Sequence, residues 1–328
     1  MAEMSVHAGY AGAFGIKKET VWNTKATPPS KFIEIESETF DETRNWVNTP
    51  GIDGTRSRAK HRSAATTLDP RGGFRVNGAK GADLALLLEL ALGNYGSGTG
   101  YVGDTLPSFT AVIQKGHLID VFTGCRISSL DFDASDSDQA LKASIEAVAA
   151  ALLAGESGDL GTPSYADEVP LVFLGSTIKA GTTSVQGKSW KLSLKNKLDE
   201  SMFRTSRTRV ALPVVGEREV TGEVGLDWNA ANTDLVMANW RADGYAAMSA
   251  EFTNGVYVVT FVCPNCRWPM ERGKLANKDA IGATAKIEAF SSGPGAREVG
   301  TVLSRDTLSV VGSDRGVVEE PVCARQMV

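Results

Sequence analysis

Alternating apolar and polar residues predict short β-strands along most of the chain. The clearest set lies between residues 108 and 132. Phe109–Ile113 and Leu118–Phe122 form the arms of a predicted hairpin, because a turn that ends in glycine separates them. The chain then bends at residues 123–125, and Arg126–Phe132 continues as an alternating strand. These residues predict a structural sheet and carry no pattern typical of catalysis.

The second half of the chain shows the same β-rich pattern. Ala246–Phe252 and Val256–Val262 flank Asn254-Gly255, a dipeptide that favours a tight hairpin turn. The alternation within residues 141–153 favours a strand, whereas the alanine content of the same residues favours a helix. Further strands are predicted at residues 31–40, 74–76, 171–174, 189–194, 210–215, 217–228 and 280–290.

Two short helices are predicted, one in each half. Asp83–Leu92 begins with a capping aspartate and stops at Gly93, and Thr233–Asp243 begins with a capping threonine and stops at Gly244. The helix starts lie 150 residues apart, and a strand, the helix and a hairpin follow one another in each half. This order predicts a tandem duplication of one mainly β domain that contains a single helix.

The boundary between the two domains is predicted at Gly155–Ala166, which is rich in glycine, serine, threonine and proline. The N-terminal segment shows no periodicity, so we expect an extended arm that is ordered only where a partner holds it. The expected organisation is an arm over residues 1–30, a first domain over 31–160, a second domain over 166–291 and a C-terminal tail over 292–328.

The composition indicates a globular protein, because 42% of the residues are hydrophobic and 22% are charged. The formal net charge of -5 argues against a protein whose main task is to grip nucleic acid. The longest apolar runs, Leu84–Leu88 and Ala147–Ala154, are too short to cross a membrane. We therefore expect a soluble chain that is made in the cytoplasm and binds no membrane.

Few residues suggest chemistry. Four cysteines are too few for a disulfide framework in 328 residues, and Cys263 and Cys266 form an isolated CxxC pair. A zinc or redox site there is the less favoured alternative, since the three histidines are scattered and no second CxxC pair exists. Cys125 is expected to be a small buried residue before a strand. No catalytic triad or nucleotide-binding loop stands out, so we predict neither an enzyme nor a cofactor.

Two charged segments are candidates for binding surfaces. The first is a predicted loop over residues 41–73, which is unusually long and basic at its centre. We expect it to make contacts between subunits, through Arg56, Arg58, Lys60 and Arg62. The second is an acidic stripe along one face of the predicted strand 31–40, for which a solvated face is the favoured interpretation. The stripe consists of Glu34, Glu36 and Glu38.

Three strand motifs resemble those of the tail tube proteins of long-tailed bacteriophages, and above all the branch with two domains in tandem. The motifs are FTGCRISSLDF (Phe122–Phe132), SWKLSLKNKL (Ser189–Leu198) and REVTGEVGLDW (Arg218–Trp228). The first resembles the family's (Tyr/Phe)-Thr-Gly-Cys-x-Val-x-Ser-Leu strand, and the second its Ser-Leu-x-Ile-x-Asn strand, with Asn196 as the asparagine. The segment CPNCRWPMERG (Cys263–Gly273) departs from the apolar strand expected at its position.

The resemblance implies a β-sandwich or barrel-like tail tube fold and a structural protein of the virion tail. It implies rings that stack into a tube, through which double-stranded DNA leaves the particle. With two domains per chain, we expect trimeric rings with pseudo-sixfold symmetry, and Glu34, Glu36 and Glu38 become candidates for the lumen wall. Other expected partners are the tail terminator, tape measure and baseplate. The alternatives are another ring-forming tail protein, such as a terminator or baseplate ring, and a secretion-tube protein.

Overall fold

The computed structural model of the protein describes residues 12–51, 60–96, 99–227, 245–271, 282–291 and 299–305, together with residues 9, 57, 229 and 232. This part of the chain is mainly β, as the sequence predicts. Its helices are α1 (Gly81–Leu92) and α2 (Ser157–Leu160), and Lys60–Arg62 forms a 3-10 turn. The predicted helix at Thr233–Asp243 lies outside the described residues.

The strands in chain order are β1 (Ala13–Lys18), β2 (Lys31–Phe32), β3 (Ser37–Glu38), β4 (Asp41–Asn48), β5 (Ser63–Asn77), β6 (Gly93–Gly96), β7 (Thr99–Val102), β8 (Phe109–Lys115), β9 (Leu118–Ser135), β10 (Lys142–Val148), β11 (Ala151–Ala154), β12 (Val172–Ala180), β13 (Thr183–Val185), β14 (Gly187–Lys195), β15 (Glu219–Asp227), β16 (Ala246–Thr253), β17 (Tyr257–Arg267), β18 (Met270–Glu271), β19 (Gly282–Ala289) and β20 (Gly300–Arg305).

A large antiparallel sheet runs through both halves of the chain. Strands β3 and β4 pair with successive parts of β5, and β5 is followed across the sheet by β10, β9, β14, β15 and β19. Both β17 and β18 pair with the far side of β19. We call these eight strand positions the main sheet. One of its faces packs against the core, because nearly every second residue of β10, the later part of β9, β14, β15 and β19 is apolar and buried.

Further strands form a second layer in each half. In the first half, β2, β1, β8, the beginning of β9 and β11 pair in that order. In the second half, β13, β12, β16, the beginning of β17 and β20 pair in that order. A single hydrophobic cluster extends through both halves. The rings of Phe132 and Phe261, 4.8 Å apart, join the two sides.

The order of strand pairing in the first half recurs in the second. The series β3/β4, β5, β10, β9, β8 and β1 has the same order as β14, β15, β19, β17, β16 and β12. The recurrence agrees with the expected duplication, which remains a prediction because the second helix is not described. The main sheet also continues across the expected boundary, so the halves share one sheet and one core.

The bend at residues 123–125 lies inside one long strand, β9. Its first part pairs with β8 and β11, and its second part pairs with β10 and β14. Gly124 makes the bend possible with a φ of +63°, and a Cβ atom there would lie 2.7 Å from Cβ of Ala150. Its N–H donates to the buried carboxylate of Glu19 at 2.8 Å. The carboxylate also accepts bonds from the hydroxyls of Ser108 (2.7 Å) and Thr110 (2.9 Å).

Helix α1 confirms the prediction for Asp83–Leu92 except at its start. Gly93 ends the helix with a φ of 84°, and its N–H donates to the carbonyl of Glu89. The N-cap is Lys80 rather than Asp83, which lies inside the first turn and is buried. Burial raises the pKa of Asp83, although the ammonium group of Lys31, 3.1 Å away, opposes the shift.

Several segments differ from the sequence-based prediction. The expected arm contains β1, which is held by β8 of the same chain because Phe14 and Ile16 are buried in the core. In the segment expected to be a loop, β4 pairs with β5 as a hairpin, and later in the chain β6 pairs with β7. Residues 142–154 are the strands β10 and β11. The strand expected at residues 210–215 is reduced to a bridge between Val214 and Leu198. The expected tail contains β20.

Candidate assembly surfaces

The contact between the two halves is built by backbone pairing of β9 with β14. Residues Ser129–Ser135 lie opposite Lys195–Ser189 in unbroken register. Asn196 extends the contact, since its N–H donates to the carbonyl of Ser128 at 2.7 Å and its side-chain amide to that of Ala91 at 2.9 Å. Asn196 is 1% exposed. The residue that the family motif singles out is therefore a buried link between the halves.

Arg209 lies in the connection between β14 and β15 and fastens this connection to the first half. Its side chain is fully buried, and its guanidinium group donates to the carbonyls of Pro70 (3.2 Å) and Ala149 (2.9 Å) and to the carboxylate of Asp69. The guanidinium carbon also lies 4.9 Å from the centre of the Phe203 ring. Sequence reasoning missed Arg209, because a single arginine in a polar segment is usually at the surface.

The charge of Asp69 balances that of Arg209. Burial alone would raise the pKa of Asp69, but hydrogen bonds from Arg71 and Arg209 outweigh burial and hold this pKa below its ordinary value. A lowered pKa in the folded state means that the carboxylate stabilises the fold above its unfolded pKa. This contribution is lost as the pH falls through the folded pKa.

The edge formed by β3 and β4 presents an open side. These strands pair with β5 on one side, and no other strand in the described part of the chain pairs with their opposite side. At the other end of the main sheet, β18 pairs with β19 on one side only within the same residues. Open edges of this kind accept further strands readily. Within the described part of the chain, the main sheet therefore ends in two edges that are available for pairing.

The hairpin of β4 and β5 exposes apolar side chains near its end. Trp46 is 58% exposed and Val47 is 46% exposed. Of the four basic candidates, Lys60 and Arg62 lie in the 3-10 turn before β5, where the N–H of Thr49 donates to the carbonyl of Arg62 at 2.9 Å. Arg56 and Arg58 lie outside the described residues. The segment expected to be a loop is thus a hairpin with an exposed aromatic residue, which sequence reasoning missed.

The acidic stripe has a basic partner at each of its three positions. Glu34 binds Lys80 at 2.7 Å, Glu36 binds Arg75 at 3.3 Å and Glu38 binds Lys115 at 3.0 Å. The predicted strand is broken, because residues 33–36 lie between β2 and β3. The three carboxylates therefore do not lie on one face of a continuous strand, and none of them is an isolated negative charge.

The cysteines occupy matching positions in the two halves. Cys125 lies opposite Phe109 at an irregularity between β8 and β9, and Cys266 lies opposite Ala246 at an irregularity between β16 and β17. Each thiol donates to the carbonyl three residues earlier, at 3.4 Å. The CxxC pair is thus the second-half counterpart of the Phe122–Cys125 turn.

Both thiols with a shifted pKa are held in the protonated form. Burial raises the pKa of Cys125, and a side-chain hydrogen bond in which the protonated Cys263 thiol donates to Cys266, followed by burial, raises the pKa of Cys263. The described residues contain no group of three or more His, Cys, Asp or Glu side chains that could hold a metal ion. No helix among them is long and apolar enough to cross a membrane.

The model of the phage tail tube protein family matches residues 9–299 of the chain. No curated protein matches the chain. The match covers the main sheet, all second-layer strands except β20, and the contact between the halves.

Replacing Arg209 with alanine tests the contact between the halves. The carbonyls of Pro70 and Ala149 and the carboxylate of Asp69 would lose the buried hydrogen bonds from Arg209, so we expect the free energy of unfolding to fall by about 3–5 kcal/mol. Arg207→Ala, at an exposed position in the same connection, is the control and should change it by less than about 0.5 kcal/mol. Urea unfolding measures both values. Equal effects of the two substitutions would contradict the role assigned to Arg209.

Proposed function

The chain belongs to the phage tail tube protein family, and we propose that three copies of it close into a ring and that these rings stack into the tube that carries DNA out of the particle. The family makes it a structural protein of the virion tail. Its other partners in the tail are, in this proposal, the terminator at one end of the tube, the baseplate at the other and the tape measure inside.

The observation that carries the proposal is the pairing of β9 with β14. This contact joins the first half to the second within one chain, and the recurring strand order provides the same surfaces for a contact between chains. Ser37 of β3 lies opposite Arg75 of β5, and Ser189 of β14 lies opposite Gly225 of β15. If β5 is the counterpart of β15, residues 37–43 correspond to residues 189–195 of β14. In a ring, residues 37–43 of one chain would pair with the edge at β18 of the next chain.

Closure into a ring would pair both open edges of the main sheet. An exposed strand edge pairs with other chains, and closure of the sheet removes every edge. A chain with two similar halves then needs three copies for six equivalent positions, which supports the trimeric ring with pseudo-sixfold symmetry. Stacking of one ring on the next is a head-to-tail contact that does not close, so it produces a filament.

The hairpin of β4 and β5 is the candidate for contacts beyond the ring. Its counterpart in the second half, the connection between β14 and β15, is folded against the same chain by Arg209. The hairpin instead exposes Trp46, and a solitary exposed tryptophan in a polar hairpin is suited to a protein contact. We place Arg56, Arg58, Lys60 and Arg62 in the same contact.

Electron microscopy of the purified chain tests the ring. We expect long tubes whose rings contain three chains, with six similar masses around the channel. Six chains per ring would contradict the proposed symmetry. Single rings or short stacks that never lengthen would favour a terminator or baseplate ring instead.

Replacing Trp46 with aspartate tests the stacking contact. The side chain is exposed, so the stability of the isolated chain should change by less than about 0.5 kcal/mol, whereas tubes should become shorter or separate into rings. Val21→Asp, at another exposed apolar position (64%), introduces the same charge as a control. Tube lengths that are the same for both variants in micrographs would contradict the contact.

Replacing Glu36 with glutamine tests the proposed place of the acidic stripe in the lumen wall. Of Glu34, Glu36 and Glu38, Glu36 is the one that binds Arg75 on the polar face of β5, whereas Glu38 lies opposite the buried Phe74 and binds Lys115 of β8. Glutamine keeps the size of the side chain and removes its charge, so tubes should still assemble. Passage of DNA should slow, because an uncompensated cation holds phosphates by releasing their counterions. Genome release from particles that carry the variant measures the effect, and an unchanged release rate would exclude Glu36 from the wall.

A further inference from the structure

The face of the main sheet that points away from the core is polar without interruption in its central part. Three rows of side chains cross this face between β5 and β19, each over five or six strands, and each row can be followed from strand to strand by the residues that lie opposite one another. None of the residues in these rows is apolar or aromatic.

The first row alternates in charge across five strands. It consists of Lys142, Asp133, Lys191, Glu223 and Lys286, each directly opposite the next. Residues directly opposite in antiparallel strands have Cβ atoms roughly 5 Å apart, and opposite charges there attract one another. Every lysine of this row therefore has a carboxylate on at least one neighbouring strand. The row crosses the contact between the halves without a change in the pattern.

The other two rows each hold one cation and two carboxylates, separated by serine, threonine or glycine. The second row contains Arg75, Ser144, Asp131, Ser193, Thr221 and Glu288, and the third contains Gly73, Glu146, Ser129, Lys195 and Glu219. Lys195 lies 3.9 Å from Glu219. The three rows together hold five cations and six carboxylates, which gives a net charge of -1.

The position of this face follows from the proposed ring, on which the inference rests. Eight strands from each of three chains would form a closed sheet roughly 50 Å across, given strands about 4.8 Å apart and tilted by about 40°. Each second layer has five strands, so the six layers of a ring contain 30 strands, more than the 24 strands of the closed main sheet. They cannot fit at a radius that is about 10 Å smaller than that of the main sheet. The cores therefore lie outside, and the three polar rows face the channel.

We propose that these rows form a charge-paired wall along which duplex DNA slides. A phosphate that binds Lys191 must compete with Asp133 and Glu223, which are part of the wall and cannot diffuse away. Binding then releases little counterion, and counterion release is the main source of affinity for DNA. The rows also lack aromatic side chains on which bases could stack. Because its charges are paired locally, the wall has little net affinity for DNA. This low affinity does not require a strongly acidic surface.

The test removes the two carboxylates beside Lys191. Tubes of the variant Asp133→Asn/Glu223→Gln should assemble and should retain linear duplex DNA in sedimentation at 50 mM salt, where unaltered tubes retain little. The retention should weaken as the salt concentration rises, with a slope of log K against log salt that is steeper by up to about 2, because two carboxylates no longer compete with phosphate. The further change Lys191→Gln should bring the retention back towards that of unaltered tubes.

Asp104→Asn/Glu251→Gln is the matched control, since it removes two exposed carboxylates outside the rows. Retention that is no greater in the wall variant than in this control would overturn the inference. If the wall variant forms no tubes, the variant Asp131→Asn/Glu288→Gln in the second row replaces it and faces the same comparison. Failure of the unaltered chain to form tubes would instead overturn the proposed function.

Discussion

The antiparallel pairing of β9 with β14 is the contact on which the rest of the structure depends. It makes one sheet of strands that belong to the two halves of the chain, and it places Asn196 and Arg209 where their donors meet carbonyls of the first half. Neither polar group would be stable in a buried position without those carbonyls, because an unpaired buried polar group costs about 1–3 kcal/mol. The pairing and the buried polar groups therefore stabilise one another, and the relative position of the halves is well defined.

The bend of β9 at Gly124 gives the first half its two layers. Before the bend the strand belongs to the second layer, and after it the strand belongs to the main sheet. The matching irregularity near Cys266 divides β17 in the same way, so that its beginning belongs to the second layer and its end to the main sheet. In this half, Pro269 interrupts the strand and separates β17 from β18. Small buried thiols suit both places, since each lies where two strands are locally out of register. The protonated state of Cys125 and Cys263 agrees with a packing role.

Much of the sheet follows from alternation, because a strand with one buried face must place an apolar residue at every second position. This holds for β14 and β15, whose predicted and observed bounds nearly coincide. It fails for β1, where Ala13–Ile16 are all buried and the pattern is continuous, and for β5, where Pro70, Gly72 and Gly73 mimic a loop. Arg209 gave no sequence signal, since its burial depends on carbonyls more than 50 residues away. Asn196 was found only through the resemblance to a family.

The two halves use equivalent connections in different ways, and this difference bears on assembly. The connection after β14 is fastened to the same chain by Arg209, whereas the hairpin after β4 extends from the fold with Trp46 exposed. In the proposed ring, half of the sheet contacts are thus already made within single chains. Each association between chains costs an estimated 4–15 kcal/mol in lost translational and rotational freedom. A ring assembled from three chains requires fewer such associations than a ring assembled from six. The covalent link also fixes the order of the two kinds of half around the channel. Alternate positions can therefore differ in their outward hairpins while the charged rows of the wall continue unbroken from one half to the other.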